Sequence, residues 1–297
     1  MTDKKLQELF STPTGLTPEL TIEGTTFYSS KKLKDSFIVA FGKSSKGKHI
    51  YPEISKLVQS NIVIPCYKSK NLLSFIKHKL TQSPDKYILA FYNLKVRKVV
   101  VLIDNNISLF GTSSNNELIS TTLHECMHLA AGRDLQKFIQ IFKPYLHAYY
   151  SAFFKKYFSL NEISSKQLDE VIKFLSKYEK HGYGYANKDL TNYFKFLYST
   201  FGGSNSKLDE RDFQVRLTNY IVAVKLFIVS VQTLFKNQSK FVMLFTALNE
   251  AYQEAFGKRN KYTTPIQETL SLSEVACVLA EMKSKDPIIK KLLKIVS

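Results

Sequence analysis

The chain has 297 residues, 44% apolar and 23% charged, enough to bury a sizeable core as one large domain or two small ones. Its net charge of +17 is carried almost wholly by lysine: Arg97, Arg133, Arg211, Arg216 and Arg259 are the only arginines among 42 basic residues. Lysines spread over the whole chain give diffuse attraction to phosphate or acidic partners rather than the bidentate base reading that arginine supplies, and Cys66, Cys126 and Cys277, an odd set without C-x-x-C spacing, argue against a disulfide framework or a Cys-rich zinc site.

The first residues, MTDKKLQELFSTPTG, contain no apolar signal-peptide core, so a cytoplasmic protein is expected, or one packaged in a particle assembled there. The most apolar stretch, Tyr220 to Phe235, is interrupted by Lys225 and Gln232 and is too short to span a bilayer comfortably. Residues 1–110 read as a small mixed α/β part. Strands are expected at Thr25–Tyr28, Ser36–Phe41, Asn61–Pro65, Tyr87–Tyr92 and Lys98–Ile103, with helices near Ile54–Gln59 and Asn71–Leu80. A short strand follows at Ile107–Phe110. Residues 111–297 read as helical, with periodicity over Leu135–Phe158, Ser165–Tyr178, Leu190–Phe201, Lys207–Lys236, Lys240–Phe256, Ile266–Met282 and Pro287–Val296. Gly- and Asn-rich breaks separate them at His181–Gly184, Gly202–Ser206 and Gly257–Asn260. The fold class expected is therefore α+β, one continuous domain with a sheet in front and helices behind.

Two motifs carry chemistry. Gly42-Lys43-Ser44-Ser45-Lys46-Gly47-Lys48 matches G-x-x-x-x-G-K, and Asp104 after a run of apolar residues could serve as its acidic partner. A phosphate-binding loop also needs a hydroxyl after the lysine to hold Mg²⁺, and His49 stands there, so a Lys/Gly/Ser loop between two strands is the better reading. The second motif is His124-Glu125-Cys126-Met127-His128. Ser114-Asn115-Asn116-Glu117 forms a capping box ahead of it, Leu118, Ile119, Leu123, Met127 and Ala130 recur at helical spacing, and Gly132 supplies a stop. On a helix the two histidines project from one face, close enough to share a Zn²⁺, with Glu125 beside the metal as a general base. Cys126 and Met127 fall on the core side.

This segment, with the strands that lead into it, resembles the zincins, the H-E-x-x-H metallopeptidase superfamily. The resemblance covers roughly residues 98–134 and one later helix. It implies a zincin-like fold of sheet followed by helices, a bound Zn²⁺, and a third protein ligand that leaves one position open for water. Asp134 has the metzincin spacing, although Ala131 occupies the glycine position of that pattern. Glu250, in Asn249-Glu250-Ala251-Tyr252-Gln253-Glu254, resembles the ligand helix of thermolysin-like gluzincins but lies on a polar face. Glu274, in Ser271-Leu272-Ser273-Glu274-Val275-Ala276, resembles the late ligand helix of compact gluzincins. Its same-face neighbours include Leu270, Cys277 and Val278, and a buried carboxylate is costly unless paired or bound to a metal. Glu274 is therefore the favoured third ligand beside His124 and His128, with Glu250, Asp134, His147 and His181 as alternatives.

The function implied is hydrolysis of a polypeptide by a zinc-activated water, with Glu125 moving the proton and one of Tyr183, Tyr185, Tyr262 or His181 supporting the oxyanion. The competing expectation is a structural or virion component built on the same scaffold, basic because it sits near nucleic acid.

Overall fold

The computed structural model describes residues 15–70, 89–103, 115–158, 163–176, 179 and 272–297. Over these residues the protein is α+β, with seven helices and two small sheets. The helices expected at Asn71–Leu80, Leu190–Phe201, Lys207–Lys236 and Lys240–Phe256, and the strand at Ile107–Phe110, lie outside the described residues. No described helix is long and apolar enough to cross a membrane. Two compact units are distinguished, Met1–Phe138 with Lys283–Ser297, and Ile139–Met282.

The first unit opens with a hairpin, β1 (Thr17–Ile22) antiparallel to β2 (Thr25–Ser29). Glu23 and Gly24 both adopt positive φ, 48° and 80°, the two-residue turn whose twist matches the flanking strands. Helix α1 (Lys31–Lys43) follows, capped by the Ser30 side chain, which accepts from Leu33 N–H. This corrects the strand expected at Ser36–Phe41. The run Ser-Phe-Ile-Val-Ala-Phe is rich in strand formers, but Leu33, Ser36, Phe37, Ile38, Ala40 and Phe41 are the buried positions and Val39 is exposed, the pattern of a helix with one broad buried side. Tertiary burial outweighs the local preference there.

Helix α2 (Tyr51–Gln59) leads into β3 (Val63–Cys66), and β4 (Ala90–Asn93) and β5 (Lys98–Leu102) complete a three-stranded sheet of order β3-β5-β4. Strand β5 runs parallel to β3 and antiparallel to β4, and its Val99 to Leu102 are completely buried. An unbroken apolar run of that kind belongs to a central strand covered on both faces. Phe27, Ile64, Cys66, Val100 and Leu102 form one core cluster. The hairpin joins it through reciprocal Tyr28–Tyr67 backbone bonds of 2.8 Å and a 2.7 Å bond from Ser29 Oγ to the Pro65 carbonyl. Helix α3 (Asn115–Arg133) packs on β4 and β5, and the terminal helix α7 (Pro287–Leu293) packs on α3 and α2. Arg133 Nη1 donates to the Val296 carbonyl at 2.6 Å, and Lys290 lies 3.5 Å from the buried Glu53.

In the second unit, α4 (Leu135–Phe158, of which Ile139 onward belongs here), α5 (Ser165–Ser176) and α6 (Leu272–Met282) are described. Helix α5 buries Leu168, Val171, Ile172 and Leu175 at helical spacing and packs on α6. Its Asp169 takes 2.8 Å and 2.7 Å contacts from Lys143 and His147 of α4, and the Lys143 hydrogen bond leads in holding that carboxyl below its usual range.

The G-x-x-x-x-G-K segment is not the loop between strands that its sequence predicts. It begins in the last turn of α1 and continues through a turn to α2, so no strand feeds it. Gly47 sits so close to Phe41 that a Cβ would lie 2.6 Å from the Phe41 carbonyl oxygen. Gly47→Ala is expected to cost about 1–3 kcal/mol through forced backbone displacement, lowering the thermal midpoint; an unchanged midpoint would show that the turn is not so constrained.

Candidate metal centre

Helix α3 presents the H-E-x-x-H motif as its spacing dictates. His124 and His128 lie one turn apart, their ring centroids 5.0 Å from each other and the rings edge to face at 69°. His128 is buried and His124 is half-buried, while Cys126 and Met127 between them are wholly buried. The next residue round the helix, Glu125, is aimed at the sheet. Its Oε2 accepts the Tyr92 backbone N–H at 2.8 Å.

The ladder explains why that donor is available. Val99 N–H is spent on the Ile62 carbonyl at the β3 side, so the Tyr92–Val99 pair is not hydrogen-bonded to each other and Tyr92 N–H points off the outer edge of β4. Glu125 covers that edge position. The Tyr92 side chain reaches the end of the same helix, where a Cβ on Gly132 would stand 2.8 Å from the Tyr92 hydroxyl. Burial pushes the Tyr92 phenol above its ordinary pKa, against smaller opposing effects of Arg97 and His128.

Glu274 and Cys277 belong to α6, three residues apart and thus on one face. Glu274 is 9% exposed and Cys277 is fully buried, in a helix whose residues from Leu272 to Ala280 are all buried. The start of α6 is held by Glu179, itself buried. Its carboxylate accepts from Leu272 N–H at 2.9 Å and Ser273 N–H at 3.0 Å, and from the Ser273 hydroxyl. A carboxylate there satisfies first-turn donors that the helix itself cannot, and complements the positive end of its dipole.

Each unit thus offers a pair of ligand side chains on one helix face, His124 and His128 on α3 of the first and Glu274 and Cys277 on α6 of the second. Imidazole, carboxylate and thiol are each donor types that suit Zn²⁺, a borderline-soft ion. The alternative ligands fare differently. Asp134 is exposed and acts as a cap for α4, its Oδ1 accepting Lys137 N–H at 3.0 Å and its carbonyl accepting Phe138 N–H at 2.9 Å. His147 is engaged with Asp169. Glu250, His181, Tyr183, Tyr185 and Tyr262 lie outside the described residues.

Three participants were not singled out from the sequence. Cys277 had a signal, because it shares the Glu274 face at i+3, but it counted there as an apolar neighbour. Tyr92 acts through its backbone and Glu179 through a contact about ninety residues distant in sequence, to Leu272 and Ser273; neither leaves a local pattern. No protein-family model matches the chain, and no curated protein or solved structure matches it.

Glu179→Ala should destabilise the protein by about 1–2 kcal/mol, as lost helix caps do, with Glu179→Gln retaining part of that loss. Urea titration followed by circular dichroism measures it, and unchanged midpoints in both variants would remove the capping role.

Proposed function

We propose that this protein is a zinc-dependent metallopeptidase of the zincin kind, with His124, His128 and Glu274 as zinc ligands and Glu125 as the general base. The observation that carries it is the pairing of His124 and His128 one turn apart on an H-E-x-x-H helix, their ring centroids 5.0 Å apart, with Glu125 held at the sheet by Tyr92 N–H. The sheet ahead of that helix, with antiparallel β4 at its described edge, agrees with the order of elements that the zincin resemblance implies.

Bound zinc would supply Lewis acidity toward a carbonyl and lower the pKa of a coordinated water. The protein's own part is orientation and proton transfer. Tyr92 N–H fixes one carboxylate oxygen of Glu125, so the other takes the proton of the attacking water and returns it to the leaving amine. His128, the more buried imidazole, is shielded from water, which strengthens its bond to a cation. Glu274, buried in α6, would contribute charge that offsets part of the metal's.

Glu125→Gln should reduce turnover of a denatured protein substrate such as casein by at least about a hundredfold, the scale of a general base, while zinc remains bound. Retained turnover would remove Glu125 from the mechanism.

Cys277 favours a second reading. A thiolate in the fourth position would close the coordination shell, and closed shells are structural rather than catalytic. The protein would then be a basic assembly component, with its lysines directed at nucleic acid. Cobalt substitution separates the two. The peptidase reading predicts a cobalt protein without a thiolate-to-metal charge-transfer band and unchanged by Cys277→Ser. A strong band that Cys277→Ser abolishes, in a protein without proteolysis, supports the closed site.

A further inference from the structure

The turn between α1 and α2, which resembles a phosphate-binding loop only in sequence, lies along the metal helix. Ser44 caps the end of α1, its backbone N–H donating to the Ala40 and Phe41 carbonyls, and its hydroxyl accepts Lys46 N–H at 3.1 Å. The Ser44 hydroxyl also reaches Asn116 Oδ1 at 3.3 Å. Gly47 lets the turn close against Phe41. The effect is to carry the Lys46 ammonium to the Ser120 hydroxyl, 2.9 Å away, on a serine that is 4% exposed.

Asn116, Ser120, His124 and His128 are successive members of one i+4 ridge of α3. The loop holds the first two and the imidazoles are the next two. The ammonium is therefore anchored one helical turn from His124, where neighbouring side chains stand about 5–6 Å apart at Cβ. Ser120 does not require a lysine: its neighbours Thr121 and Thr122 satisfy their hydroxyls on the Glu117 and Leu118 carbonyls of their own helix. A cation so close to a divalent metal raises the local positive potential, and a half-buried position screens it less than bulk water would.

We propose that Lys46 is a specificity residue that binds the carboxylate of an acidic side chain beside the scissile bond, so that the enzyme prefers peptides carrying Asp or Glu there. This rests on the metallopeptidase reading above. The chain's excess of 42 basic over 25 acidic residues acts in the same direction at longer range, raising the local concentration of acidic substrates.

The test is cleavage of a proteome-derived peptide library by the zinc-loaded full chain, read by mass spectrometry, for wild type, Lys46→Met and Lys46→Arg. Wild-type cleavage sites should be enriched in Asp or Glu at one fixed position. Lys46→Met should lower kcat/KM for the best acidic peptide about tenfold, the scale of one charge-assisted hydrogen bond, leave neutral peptides nearly unchanged, and keep its zinc. Lys46→Arg should restore most of the preference. Wild-type cleavage without acidic enrichment overturns the inference and leaves the peptidase reading standing, as does an equal loss on acidic and neutral peptides in Lys46→Met. Zinc-loaded wild type that cleaves nothing overturns both.

Discussion

The hydrogen bond from Tyr92 N–H to Glu125 ties α3 to the sheet and is the constraint on which the placement of its side chains depends. It uses a donor that the β4–β5 ladder leaves over, because Val99 turns its own N–H toward β3. An edge N–H left bare invites pairing with another chain; here a carboxylate takes it. The same bond fixes how α3 is rotated. With Glu125 at the sheet, Cys126 and Met127 fall into the core and the two imidazoles are carried together to the other side. Gly132 permits the approach by leaving room for the Tyr92 ring, and Arg133 fastens the end of the helix to the chain terminus.

Buried carboxylates mark where the fold accepts an electrostatic cost. Glu53 meets Lys290 at 3.5 Å. Glu179 is surrounded by donors from the start of α6. Glu274, the third residue of α6, lies in a stretch from Leu272 to Ala280 that is buried throughout. Asp134 shows the contrast: exposed and occupied as a helix cap, it has no need of an ion.

Much of this was legible in the sequence where the relevant physics is local. The capping signals and periodicity around residues 115–133 locate α3, and Leu135–Phe158 matches its helix end to end. The continuous run from Val99 to Leu102 marks the central strand. Local physics misleads at Ser36–Phe41, where an apolar run with strand preference is helical and all of its residues but Val39 are buried. β1, with its alternating Thr and apolar residues behind Pro18, was too weak a pattern to stand out. Lys46 and Glu179 act on residues 74 and more than ninety positions away, so their roles depend on tertiary approach that no spacing in the chain encodes.

The central claim is that the imidazole pair of α3 holds zinc, and metal analysis tests it most directly. Wild-type protein saturated with zinc and then desalted should retain a stoichiometric ion, and His128→Ala, folded by circular dichroism, should lose it. Zinc-free wild type after the same treatment, or zinc retained undiminished by His128→Ala, would contradict the account.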